Sequence, residues 1–340
     1  MIAPPFRADL NGYKGIVPRM ISRGQRKMGG ETVGVDIAKL HFDVHSYPGG
    51  GSGRFENTDK GRRSFVKWLK SRQSVMVVFE PTGPYHKALE ADLHKAGVAL
   101  AKVNPLHARR FAEATGCLNK TDRVDAAILA RMAAVLQIKA QPERPENLTG
   151  LTELLSARRG LMKERTANLN RQKNLVHPLL KRQCSARIRQ IEGQVQMIER
   201  ELRAAVAADA ALTQKFEILI SIPGISATTA FTLLADLPEL GELTSAQAGS
   251  LAGLAPMHRE SGNWKGQSRI RGGRAVLRQS LYMPALVATR FNPDLRVVYK
   301  RLVDAGKPAK IAITAVMRKL VVLANTLVAS DRIWELRPMK

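Results

Sequence analysis

The chain has 340 residues, room for two domains of ordinary size, and 44% of them are hydrophobic, which excludes wholesale disorder. Lys and Arg total 54 against 29 Asp and Glu, a formal net charge of +25. A surplus that large calls for a polyanionic partner, because basic side chains bind phosphates favourably by displacing their counterions.

The remaining exclusions come from what is sparse. Cys117 and Cys184 stand too far apart for a zinc knuckle, and so few thiols fit a reducing cytosol better than a disulfide framework. The apolar stretches Ile311–Met317 and Leu320–Leu323 are separated by Arg318 and Lys319, so no uninterrupted run reaches the roughly 18 residues of a membrane span. Residues 1–30 are basic and lack an apolar h-region, which argues against a secretory signal and for a basic extension or an early start, with Met28 as a second candidate start.

In chain order, Thr32–Asp36 is a short β-branched run ending on an acid, and Leu40–His45 alternates so as to pair with it as a hairpin. Residues 48–53 (PGGGSG) read as a flexible turn. Gly61–Arg72 reads as a helix, Val75–Glu80 as a buried strand, Tyr85–Ala96 as a helix stopped by Gly97, and Val98–Val103 as another buried strand. Strands alternating with helices predict an α/β layer domain.

From Leu148 the period becomes helical. Leu148, Leu151, Leu155, Met162, Leu169 and Val176 form a stripe interrupted by Arg158, Arg165 and Gln172, and Pro178 breaks it. Ile188, Ile191, Val195, Ile198, Leu202 and Val206 then repeat at nearly coiled-coil spacing. An antiparallel helical hairpin or a dimerising arm follows, with two ordinary packed helices as the plain alternative. Residues 216–340 read as mostly helical around a Gly- and Arg-rich stretch at 258–278. The expected divisions are a basic extension over 1–30, an α/β domain over 31–145, a helical coiled-coil arm over 146–210 and a mainly helical C-terminal domain over 211–335.

Four acids carry a possible chemistry. Asp36 ends the first strand, Glu80 ends a buried strand, and Asp122 and Asp125 share a face of the helix that starts in NKTDRVDAAILA. Taken singly, each has an ordinary use as a cap, a turn residue or a surface ion-pair partner. Taken together, strand-terminal acids and a helical pair can converge on one point of an α/β sheet and hold one or two Mg²⁺ ions. A pair of such ions about 4 Å apart activates a nucleophile and steadies the leaving oxygen in phosphodiester cleavage.

The C-terminal half offers a hydroxyl. Between His258 and Arg278 lie six basic residues (Arg259, Lys265, Arg269, Arg271, Arg274, Arg278), one acid (Glu260) and four glycines (Gly262, Gly266, Gly272, Gly273). Arg grips phosphate with two N–H groups at once, and Gly lets backbone approach a ligand. Either Ser261 or Ser268 can be a nucleophile in that setting, and residue chemistry alone does not separate them. Ile222–Leu234, with Gly224 in its turn, reads as a helix–hairpin–helix whose backbone N–H groups meet a phosphate, or else as a tight turn between packed helices.

GVDIAK (Gly34–Lys39), FEPTGPYH (Phe79–His86) and NKTDRVDAAILA (Asn119–Ala130), followed by Ser-Gly-x-x-x-Gly, Ile-x-Gly-Gly-Arg and Leu-Tyr-Met, resemble the insertion-sequence-one-ten family of transposases, which includes bridge-RNA-guided recombinases and Piv-type DNA invertases. The resemblance spans about residues 30–330. It implies an RNase H-like (RuvC-like) N-terminal domain, α/β in class, with the metal ligands Asp36, Glu80, Asp122 and Asp125 and the cofactor Mg²⁺. It also implies a helical arm and a mainly helical transposase domain whose catalytic serine is Ser261, with Lys265, Arg269, Arg271, Gly272, Gly273, Arg274 and Arg278 around the nucleic acid. The implied partners are element and target DNA, a guide RNA and further copies of the chain in a dimer or tetramer, in a bacterial cytoplasm and at the nucleoid. Three rivals remain: a metal-dependent Holliday-junction-type nuclease that does not need Ser261, a DNA invertase that uses no RNA, and a non-catalytic nucleic-acid-binding protein.

Overall fold

The computed structural model describes residues 30–336 apart from 73–74, 82, 118–121, 144, 259, 262–263 and 267, and leaves aside the side chains of residues 122, 123, 146, 260, 264 and 265. All but the last residue of the expected N-terminal extension thus lies outside the described residues. The chain divides into two compact units, residues 1–143 and 144–340.

The first unit is built on a five-stranded sheet of order β3-β2-β1-β4-β5, made of β1 (Thr32–Ile37), β2 (His41–Tyr47), β3 (Ser52–Glu56), β4 (Met76–Phe79) and β5 (Ala99–Lys102). The pairs β1–β2 and β2–β3 are antiparallel, while β4 and β5 run parallel to β1. The helices are α1 (Asp59–Lys70), α2 (Lys87–Lys95), α3 (Pro105–Ala114) and α4 (Asp122–Val135). The two-residue period of a strand sorts side chains between the faces. Val33, Val35, Ile37, Phe42, Val44, Val77 and Phe79 enter one core with Phe65 and Leu69 of α1 and Leu89 and Leu93 of α2. Val78 and Ala101 enter the other with Ala108 of α3 and Leu129, Met132 and Ala133 of α4.

The expected turn over 48–53 is shorter than predicted, because β3 begins at Ser52. Phe55 recruits it to the sheet: its ring lies 5.7 Å from Phe42, 5.3 Å from Phe65 and 6.1 Å from Trp68. Each such aromatic pair is worth about 0.5–1.5 kcal/mol beyond its buried area.

The second unit begins with two long helices, α5 (Glu146–Asn174) and α6 (Pro178–Ala207). The residues that interrupt the apolar stripe of α5 are those that fix its partner. Arg158 pairs with Glu199, Arg165 with Glu192, and Gln172 with Ser185, at 2.7 Å in each case. Both series step by seven residues in opposite directions, so the helices run antiparallel and a slip of one turn would break all three pairs at once. The stripe itself ends before Val176, which sits between the two helices and is 87% exposed.

The rest of the unit is α7 (Ala210–Ser221), α8 (Ala227–Asp236), α9 (Ser245–Leu251), a β-ribbon, α10 (Ala275–Ser280), α11 (Tyr282–Phe291), α12 (Pro293–Asp304) and α13 (Ala309–Ala329). Leu148, Leu151 and Leu155 of α5 and Leu202 and Val206 of α6 share one core with α7, α8, α10, α11 and α13. Helix α13 is long and apolar enough to cross a membrane by length and composition alone. Its apolar face, with Val316, Leu320, Val321 and Ala324 fully buried, is the spine of that core.

Candidate active site

Helix α4 reaches the sheet through a missing side chain. On β1, Thr32, Gly34 and Asp36 alternate with the core residues, and a Cβ on Gly34 would collide with the backbone of Ala126 and Ala130 of α4. Thr32 ties the same helix down by donating its hydroxyl to the Ala130 carbonyl at 2.9 Å. Stepping from Thr32 to Gly34 to Asp36 therefore moves along α4 from Ala130 past Ala126 towards its first turn, where Asp122 and Asp125 lie. The side chain of Asp122 lies outside the described residues, whereas Asp125, Asp36 and Glu80 are half-buried.

The register extends this into a row. Val35 pairs with Phe79 in parallel, so Glu80 is the next position beside Asp36. On the other side Asp36 pairs with Asp43 of β2, and Asp43 with Arg54 of β3. Directly paired residues point to the same face of a sheet. Asp36, Asp43 and Arg54 thus share one face across three strands, and Glu80 follows the last residue of β4 next to them. Asp43, whose side chain is only 2% exposed, accepts two hydrogen bonds from Arg54, Nε to Oδ1 at 3.1 Å and a terminal nitrogen to Oδ2 at 2.8 Å. The segment after Glu80 is anchored by His86, whose ring lies 5.9 Å from Phe79 and whose Nε2 lies 3.7 Å from Glu90. Lys102, at the end of β5, holds the same Glu90 at 2.6 Å.

This donor set is hard carboxylate oxygen, which suits Mg²⁺ or Mn²⁺ rather than a soft metal. Among the described residues no three His, Cys, Asp or Glu side chains close into a ligand shell, so a full shell needs Asp122 or oxygens brought by the substrate.

Ser261 is carried differently. The β-ribbon of the second unit consists of β6 (Pro256–Met257), β7 (Glu260–Ser261), β8 (Trp264–Lys265) and β9 (Arg269–Ile270), with β6 paired to β9 and β7 to β8. Ser261 pairs with Trp264 at the far end of this ribbon and is exposed. Two residues separate the ladders on one side (258 and 259) and three on the other (266 to 268). At that step the hydroxyl oxygen of Ser268 lies 2.7 Å from Nδ1 of His258. The residue signals had left the two serines level, and the histidine partner falls to Ser268.

The base of the ribbon is clamped. A Cβ on Gly273 (φ +62°) would run into the backbone of Gly253, so two glycines meet here back to back. The Arg274 N–H donates to the Leu251 carbonyl at 2.7 Å. The Arg274 guanidinium grips both carboxylate oxygens of Glu239, at 2.7 and 2.6 Å, and the Asp236 carbonyl at 2.9 Å. The Glu239 hydrogen bond raises the Arg274 pKa further above its ordinary value, although burial opposes it. Arg278 donates to the Gly272 carbonyl at 2.8 Å. Within the Gly-Gly-Arg motif, then, Gly273 and Arg274 hold the ribbon base together. Arg269 and Arg271 stay exposed, and the Lys265 side chain lies outside the described residues.

Gly224 (φ +109°) faces α11, where a Cβ would meet the Pro284 carbonyl at 2.7 Å and the Ala288 Cβ at 2.9 Å. Packing against α11 by itself requires a glycine here. Sequence reasoning missed Asp43, Arg54, His258 and Glu239. Asp43 carried a faint signal, since Phe42 and Val44 face the core and therefore put it on the face of Asp36.

Residues 33–181 match a protein family described as "Transposase", and residues 216–300 match one described as "Transposase IS116/IS110/IS902 family". The chain is similar to the "Pilin gene-inverting protein" of Moraxella bovis, with 30% identity over 322 residues, covering 90% of this chain and 98% of that protein. Its counterpart in Moraxella lacunata aligns with the same identity and coverage. A shorter likeness, 28% over 122 residues, links 35% of this chain to 30% of the "Insertion element IS110 uncharacterized 43.6 kDa protein" of Streptomyces coelicolor.

Proposed function

This chain belongs to the IS110 family of transposases, and from that premise we propose that it cuts and rejoins DNA by pairing a metal-binding carboxylate site with a serine nucleophile. The observation that carries the proposal is that Asp36 lies on β1 one position past Val35, whose parallel partner Phe79 is followed by Glu80, while α4, packed against β1, begins with Asp122 and Asp125 in its first turn. The sheet order β3-β2-β1-β4-β5, with its first three strands antiparallel and the last two parallel to β1, supports an RNase H-like (RuvC-like) reading of the first unit.

Asp36, Glu80, Asp122 and Asp125 would hold one or two Mg²⁺ ions, which supply charge stabilisation to phosphoryl transfer when bound. In the serine step the Ser261 oxygen bonds to phosphorus and a bridging P–O bond of the DNA breaks. The serine gives up its proton, and the departing DNA oxygen takes one. Rejoining is the same exchange in reverse, with a hydroxyl of another strand expelling the serine. Arg269 and Arg271, with Lys265, would grip the flanking phosphates. The acid row of one subunit would serve the serine of another in a dimer or tetramer. An element-encoded RNA would choose element and target by base pairing while the basic protein holds the duplexes by shape, in the cytoplasm and at the nucleoid.

One observation supports a second reading of the nucleophile: Ser268 has a hydrogen-bonded imidazole to take its proton, the arrangement that activates a weak hydroxyl. The test of the proposal is recombination of a plasmid carrying element and target sites by the purified protein, with and without Mg²⁺ and with and without ribonuclease treatment. Product that needs both the metal and the RNA supports the full reading. Product that survives ribonuclease makes the protein an invertase-like enzyme that reads its sites itself, and nicking without rejoining makes it a nuclease.

A further inference from the structure

We infer that Arg54, anchored by Asp43, is the resident counter-cation of the carboxylate row and sets how tightly that row takes a divalent ion. This inference rests on the proposed metal site. Paired side chains on neighbouring antiparallel strands start about 5 Å apart at their Cβ atoms. Asp36 and Asp43 are such a pair, and so are Asp43 and Arg54. Two carboxylates at that separation, one of them almost fully buried, need a cation between or beside them. Arg54 is that cation: its fork takes both oxygens of Asp43 while half of its own side chain stays exposed. The nearby His41 imidazole stands 4.0 Å from the same carboxylate.

The pair does two things to the row. Its carboxylate adds negative charge next to Asp36, and its guanidinium offsets that charge from the solvent side. A divalent ion at Asp36 feels both. Removing the guanidinium alone makes the row more negative and strengthens the hold on the ion. Removing the carboxylate alone leaves the positive charge of the guanidinium near Asp36 without the negative charge it offsets, and that charge opposes the ion. Removing both cancels to first order.

The experiment is Mn²⁺ titration of the full-length protein, without DNA, followed by electron paramagnetic resonance, with thermal melts in parallel. Arg54→Gln is expected to tighten Mn²⁺ binding about tenfold and Asp43→Asn to weaken it about tenfold, with Arg54→Lys and the double variant within about threefold of the wild type. Arg54→Gln leaves a buried carboxylate without its guanidinium; where that variant does not fold, the test is carried by Asp43→Asn, expected to weaken binding with an unchanged melting temperature, against the double variant, expected to restore it. Tighter binding in Arg54→Gln beside weaker binding in Asp43→Asn supports the inference, since loss of a merely structural pair would weaken binding in both. Weakening in both single variants overturns it, whether or not the double variant recovers. Wild-type binding no stronger than that of Asp36→Asn removes the metal site itself, and this inference with it.

Discussion

The two candidate catalytic regions are held in place by the same device and otherwise differ in kind. In each, a glycine lets two pieces of backbone meet: Gly34 under α4, and Gly273 against Gly253 at the base of the ribbon. Around Gly34, however, the acids sit on the sheet and on a helix packed against it, so their relative positions follow from strand register. Around Gly273 only the base is fixed, and Ser261 stands at the end of two short ladders with an uneven step between them. The proposed metal site, which must hold several oxygens in one geometry, would sit on the rigid frame. The proposed nucleophile, which must reach a phosphate, would sit on the ribbon.

The largest expected effect separates chemistry from framework. Asp36→Asn or Asp125→Asn should lower single-turnover DNA cleavage by about a thousandfold or more, the scale of several kcal/mol of lost metal assistance, while equilibrium titration shows DNA binding intact. Cleavage retained in both variants would remove the acid row from the chemistry.

Next come the glycines. Gly34→Ala and Gly273→Ala should each destabilise their own unit by about 3 kcal/mol, measured by denaturant unfolding, because the new Cβ meets backbone that cannot step aside. The comparison is sharpened by a second readout: Gly34→Ala should weaken Mn²⁺ binding, whereas Gly273→Ala should leave it unchanged and lower only the serine step. Gly272→Ala, which meets open space at φ +76°, should cost only about 1–2 kcal/mol. If Gly273→Ala disturbed Mn²⁺ binding as much as Gly34→Ala, the two regions would not be separable in this way.

Much of this architecture was legible in the sequence, for physical reasons. The strands of the acid row announced themselves because a two-faced buried strand must be apolar on nearly every position, and their terminal acids broke that rule. Helix α4 was readable from Asp122 onward. The α5 stripe was readable too, but Arg158, Arg165 and Gln172 looked like interruptions because their partners lie 41, 27 and 13 residues away on α6. Strand β3 was hidden behind a glycine-rich run, since its reason for being a strand is the contact of Phe55 with α1 and β2. For Arg274 the sequence shows a charge and not its ion-pair partner. That partner is Glu239, thirty-five residues upstream.

Smaller effects test the clamp and the arm. Arg274→Lys loses the two-pronged grip on a partly exposed Glu239, and about 1 kcal/mol of stability is expected to go with it. A larger loss of serine reactivity than of stability would mean that the clamp aims the ribbon as well as holding it. A double-mutant cycle on Arg165 and Glu192 should give a coupling of about 0.5 kcal/mol, since both side chains are partly exposed.

The central claim, a serine on one region served by metal-binding acids on another, is tested most directly by one denaturing gel. Protein with its bound nucleic acid is incubated with labelled element and target DNA in Mg²⁺, for the wild type, Ser261→Ala, Ser268→Ala and Asp36→Asn. The account predicts a labelled protein–DNA adduct in the wild type and in Ser268→Ala, absent from Ser261→Ala and Asp36→Asn. Cut DNA without any adduct, unchanged by Ser261→Ala, would contradict it and leave the acid row as the whole of the catalytic site.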